Sequence, residues 1–176
     1  MGHEQWLKAG HEFLSEWLPG VLLEKFSVGN LDQAGFVNES YQFQAPFFVQ
    51  QAGEMLIFRP CVVGSKALLL PPQEDRKFPF QYRYLRSFSD HFEITLPPGY
   101  MVEALPEPTA RETVFASYQS EVIQEGSIVK YSRTLQLKQL LVPAESVQAL
   151  REFYQLIDRD ERSVVLLRRS SSPTSP

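Results

Sequence analysis

The sharpest enzymatic reading of this chain takes Cys61, its one cysteine, as nucleophile. His91 would serve as base and Asp90, Asp158 or Asp160 as orienter, because a thiolate needs an imidazole within hydrogen-bond reach. The neighbours of Cys61 speak against that use. It stands in FRPCVV, an apolar strand-like run where cysteine behaves as a small buried hydrophobe, and no helix N-terminus follows to lower its pKa. His91, beside Asp90 at a strand start, reads as a surface or turn residue. His3 and His11 are eight positions apart, which does not stack them on one helical face as an i, i+4 pair would. Neither GxGxxG nor GxxxxGK[ST] occurs, so no phosphate cradle is expected. The expectation is no catalytic residue, no metal site and no cofactor.

Thirteen phenylalanines and seven tyrosines raise a second chemistry, a sugar-binding platform of exposed rings with Tyr82, Tyr84, Tyr100 and Tyr118 as candidates. Their alternation with polar residues assigns them instead to a core. Arg76, Lys77, Arg83 and Arg86 form a mild positive cluster that reads as a solvated face. Trp6, Trp17, Arg83 and Arg86 are the candidate interaction surface.

The chain has 176 residues, of which 43% are apolar, enough for one ordinary domain with a core or two very small ones, and one domain is the expectation. With 17 basic against 21 acidic residues the net charge is −4, which gives no electrostatic reason to expect nucleic acid. A single cysteine excludes an internal disulfide and thiolate metal clusters. No apolar run approaches the ~20 residues that cross a bilayer. The N-terminus lacks a signal peptide's regions and reads as a helix entered without preamble, so sequence upstream of Met1 is expected, and an extracytoplasmic location would follow if it carried a signal.

The elements that would position these residues are mostly strands. Trp6, Phe13, Leu14 and Trp17 recur at near-helical spacing over 4–18, and Pro19-Gly20 closes that helix. Short extended runs follow at 21–30, 36–43, 47–51 and 55–58, as in an antiparallel meander. Residues 64–76 read as irregular. Phe78, Phe80, Tyr82 and Tyr84 alternate as a strand whose aromatic face would fill a sandwich core. Phe92, Ile94 and Leu96 alternate with Glu93 and Thr95, and Pro98-Gly99 fits the centre of a type II turn into a strand over 100–105, so that a hairpin is expected. The hairpin of 114–123 with 128–137 is clearer still. One dry face carries Val114, Ala116, Tyr118 and Val122, the other Val129, Tyr131, Leu135 and Leu137. Pro143 opens a helix with the stripe Val147, Leu150, Phe153, Tyr154 and Ile157. Residues 158–162 then read as a charged turn, 163–167 as a strand, and 168–176 as a Ser/Pro tail.

The order of FPFQY, FEITLPPGYMVEALPEP, EGSIVKYSRTLQL, VPAESVQALREFYQLID and SVVLLRR resembles the C-terminal region of bacterial transglutaminase-like proteins. In that family a β-rich domain precedes a papain-like core, and a C-terminal β-domain of unknown function follows it. The resemblance covers about 73–169, and 6–72 looks like the connecting segment. It implies an accessory domain whose partner is a transglutaminase-like core of the same polypeptide. The Cys-His-Asp triad would belong to that core, so no catalytic residue carries over.

The fold expected is mainly β: an antiparallel β-sandwich with an N-terminal helix and one helix near the C-terminus packed on it. Its parts would be a helix over 1–20, a β-domain over 21–168 and a tail over 169–176. The function expected is a non-catalytic accessory domain that helps shape or present substrate. The alternative is an independent carbohydrate- or protein-binding module.

Overall fold

A computed structural model of the chain describes residues 3–33, 35–70 and 77–170. Its packing falls into two units, Met1–Gln50 and Gln51–Pro176. Helix α1 (His3–Ser15) and strands β1 (Leu22–Val28) and β2 (Glu39–Gln44) share the first unit. Among the described residues the two strands pair antiparallel with each other and with no further strand, so that with α1 they make a helix-and-hairpin unit. Phe26 and Tyr41 pack across the hairpin as tilted rings with centroids 4.6 Å apart, and the rings of Phe13 and Trp6 of α1 approach Tyr41 and Phe26 at 5.8 and 6.4 Å between centroids. Gly10 permits that approach. A Cβ there would lie 3.0 Å from the Phe26 ring, tighter than packed carbons tolerate. Leu14, Leu18 and Val21 are buried, while Trp6 and Trp17 stay 40% and 43% exposed.

From β3 (Gln50–Ala52), which begins at the last residue of the first unit, the second unit runs through β4 (Met55–Phe58), β5 (Phe80–Gln81), β6 (Ser87–Thr95), β7 (Tyr100–Ala104), β8 (Thr109–Glu112), β9 (Ala116–Glu125), β10 (Ile128–Leu137), β11 (Leu141–Val142), helix α2 (Val147–Glu161) and β12 (Val165–Arg169). One sheet has the order β6-β10-β9-β8, a second β3-β4-β12-β7, and β11 pairs with β5. The fold is mainly β, built of antiparallel sheets, with two helices, one of them near the C-terminus.

The apolar stripe of α2 lies on the inner face of the first sheet. Leu150, Phe153, Tyr154 and Ile157 join Ala116, Tyr118, Leu135 and Leu137 in one buried cluster. Burying each large apolar side chain there contributes about 1.5–3 kcal/mol. The period-two pattern of β9 and β10 matches their burial: Tyr118, Ser120 and Val122 alternate with exposed Gln119 and Glu121, and Val129, Tyr131, Arg133, Leu135 and Leu137 are all buried.

Four local expectations are corrected. The strands flanking Pro98-Gly99 do not form a hairpin, because β6 pairs with β10 in one sheet and β7 with β12 in the other. Pro97 and Pro98 lack ladder donors, and Gly99 at φ +80° turns the chain from one sheet into the next. The aromatic alternation over 78–84 yields only the two residues of β5, with Phe78 77% exposed. Its partner β11 is equally short, and Tyr82 continues the contact through one bond from its N–H to the Leu140 carbonyl. Residues 158–161 are not a turn but the last turn of α2, where Glu161 falls four residues, about one helical turn, beyond Ile157 on the buried stripe. The expected tail over 169–176 begins inside β12, and 171–176 lie outside the described residues.

Candidate functional site

The inward face of a strand normally carries apolar side chains, so a charge there must find a partner. β10 places Arg133 on that face between Tyr131 and Leu135, and β6 places Asp90 on its own inward face directly opposite in register. Arg133 is 2% exposed. Its Nε donates to Asp90 Oδ2 at 2.7 Å. Nη1 donates to Glu161 Oε1 at 2.5 Å and to Cys61 Sγ at 3.0 Å. Nη2 donates to the Val63 carbonyl at 3.2 Å and to the Gly64 carbonyl. A guanidinium has five N–H donors, and every one of them is engaged here.

The loop between β4 and β5 is held by the same carboxylates. Glu161 also accepts from Ser65 Oγ at 2.5 Å and the Lys66 N–H at 2.6 Å, and Lys66 Nζ lies 3.3 Å from Asp90. Next along α2, Asp160 accepts from Tyr118 at 2.5 Å and Ser120 at 2.8 Å, both on the inward face of β9. Two carboxylates at a helix C-terminus oppose the helix dipole, so the charge of Arg133 and these donors must hold them. The whole cluster ties the 61–66 loop, three strands and the end of α2 together.

Electrostatics follow from this packing. Burial works against the Arg133 charge, but Cys61, Asp90 and Glu161 together outweigh it and hold its pKa above the ordinary value. Burial pushes the Cys61 thiol up to about 11, with the Arg133 charge offsetting only part of the effect. Burial likewise raises Tyr118, whose hydroxyl donates to Asp160, and Tyr131. The Tyr131 hydroxyl is fully buried and makes no hydrogen bond of normal geometry among the described residues, although it faces the Cys61 thiol and Tyr118.

The residues singled out for nucleophilic chemistry are brought together only in part. Asp90 and Cys61 meet at Arg133 on the inner face of the sheet. His91, one residue along β6, points to the opposite, wet face, is exposed, and lies 3.3 Å from Ser89 Oγ. Asp158 pairs with Arg162, and Asp160 with Tyr118 and Ser120. His11 lies beside Ser15 on α1, and the side chain of His3 lies outside the described residues. No group of three metal-ligating side chains occurs among the described residues.

The candidate sugar platform does not form a row. Tyr118 is 2% exposed, Tyr82 is half-buried with its hydroxyl 2.8 Å from that of Tyr154, and Tyr84 is exposed under the Arg86 guanidinium at 4.0 Å. Arg83 and Lys77 are exposed, and Arg76 lies outside the described residues. Trp6 and Trp17 belong to the first unit, Arg83 and Arg86 to the second. No described helix is long and apolar enough to cross a membrane.

The site that sequence reasoning missed is the Arg133 cluster. Its signal was present: Arg133, Asp90 and Ser120 sit at inward positions of alternating strands, and Glu161 at an inward position of α2.

Comparison with known proteins gives a narrow placement. No curated protein matches. A solved structure described as a "putative protease" from Parabacteroides distasonis ATCC 8503 aligns with 62% of this chain at 14% identity and a TM-score of 0.47. The chain spans 20% of the length of that structure, and a likeness this weak carries no argument about activity. Residues 54–167, which hold both four-stranded sheets from β4 onward, α2 and the Arg133 cluster, match the model of the Domain of Unknown Function with solved-structure structure (DUF3858), and the chain belongs to that family.

Proposed function

We propose that this chain is a non-catalytic accessory module of a larger polypeptide, packing against a transglutaminase-like, cysteine-protease-like core and helping to present substrate to it. The observation that carries this reading is the position of Cys61. The one cysteine is consumed as an acceptor of a buried arginine, its thiol is pushed up to about 11, and the nearest candidate base in sequence, His91, faces away on the other side of the sheet. An activated thiolate needs the reverse: an electropositive, partly exposed setting and an adjacent imidazole. The ordered resemblance over 73–169 supplies the kind of core.

The test is to read the native gene around this region, express separately the catalytic portion it encodes, and titrate it with this chain. Saturable complex formation, with substrate preference altered by the chain, is the expected result. A gene encoding no such core, or a core that neither binds the chain nor responds to it, overturns the proposal.

A further inference from the structure

β6 is a nine-residue strand at the end of its sheet, paired on one side only among the described residues. The bonds from the Leu96 N–H to the Ser127 carbonyl and from the Leu137 N–H to the Arg86 carbonyl, each 2.8 Å, fix the phase of its pairing with β10. Even-numbered residues of β6 turn their backbone groups to β10. Ser87, Ser89, His91, Glu93 and Thr95 therefore turn theirs outward, and among the described residues no hydrogen bond satisfies them. Their side chains are all exposed. On the inner face, Phe88, Phe92 and Ile94 remain half-buried, whereas Val129, Tyr131 and Leu135 of β10 are 0%, 2% and 4% exposed. The strand leaves both its backbone and part of its apolar face uncovered, the arrangement that recruits a further strand.

We propose that this edge takes β6 of a second copy of the chain, antiparallel about a two-fold axis at Phe92. The charges select that occupant and that register. A two-fold at Asp90, His91 or Glu93 sets like side chains against each other on the axis. A two-fold at Phe92 sets ring against ring, and places His91 opposite the partner's Glu93 and Ser89 opposite the partner's Thr95, each twice by symmetry. Asp90 falls opposite Ile94 in this register, and its charge is already matched by Arg133 and Lys66. The outward groups of Ser89, His91, Glu93 and Thr95 then make about eight inter-strand hydrogen bonds. This inference is independent of the accessory role, since β6 lies wholly in this chain.

Sedimentation equilibrium of the full chain over roughly 1–100 μM, where a reversible homodimer of modest area populates both states, tests it. The wild type is expected to dimerise. His91→Glu, which sets two carboxylates opposite each other twice, is expected to weaken the dimer about tenfold. Adding Glu93→His to that variant exchanges the pair and is expected to restore the affinity to within about twofold. Both positions are exposed, so unchanged circular dichroism certifies the fold. A monomeric wild type overturns the proposal, as does a double variant no tighter than His91→Glu alone.

Discussion

Arg133→Met is expected to remove about 3–5 kcal/mol of stability from the second unit, the cost of breaking a buried ion pair by deleting one partner. Methionine fills similar volume, so the loss does not come from a cavity. It comes from what loses the guanidinium: Glu161, left with Ser65 and the Lys66 N–H but no cation, Asp90, left with Lys66 alone, and the Val63 and Gly64 carbonyls. Arg133→Lys should recover only part, because an ammonium offers three donors from one point and cannot reach across the fork. Urea unfolding should be followed by far-UV and near-UV tyrosine circular dichroism. Tryptophan fluorescence reports the wrong unit, since both tryptophans, Trp6 and Trp17, lie in Met1–Gln50. A loss below about 1 kcal/mol, the range of exposed pairs, would mean that the cluster is not the clamp described here.

The second large effect is alkaline lability. Cys61 titrates near 9 when unconstrained and is pushed up to about 11 in the folded protein. Between those values the unfolded chain has lost the thiol proton and the folded chain keeps it. The folded state therefore binds more protons, and stability falls as pH rises through this window, by about 2–3 kcal/mol once both values are passed. Tyr82, Tyr118, Tyr131 and Tyr154 are raised in the same direction, burial being the largest cause in each, so the decline continues above pH 10. Urea midpoints measured from pH 8 upward should fall from about pH 9. Cys61→Ala should flatten the first part of that fall and leave the tyrosine-driven part. Midpoints that stay level to pH 11, or fall identically in both proteins, would contradict the assignment.

Which parts of the fold were legible follows from what period-two patterns encode. Alternation names the face of each residue, and it placed Tyr118, Tyr131, Leu135 and Leu137 inward, where they are. It does not name the partner strand. The pairing of β9 with β10 could be inferred because Gly126-Ser127 is too short to allow anything else. The pairing of β6 with β10 could not, because β7, β8 and β9 lie between them in sequence. The same gap hid the ion pair. Asp90 and Arg133 are both inward by alternation and opposite in charge, yet only the register of two distant strands shows that they meet. Glu161 was obscured differently. The run Asp158 to Arg162 is polar enough to pass for a turn, and only the spacing from Ile157 reveals that the helix continues into it. The aromatic alternation over 78–84 misled in the other direction, since a strand needs a partner of matching length and β11 offers two residues.

The central claim is that Cys61 serves packing and not catalysis. The most direct measurement is the rate of Cys61 alkylation by iodoacetamide in the folded full chain as a function of pH. A thiol held by burial and Arg133 predicts slow labelling at neutral pH that rises only above about pH 9 and accelerates on unfolding. Rapid labelling that is already at its plateau near pH 6–7, as an imidazole-paired thiolate gives, would contradict the account.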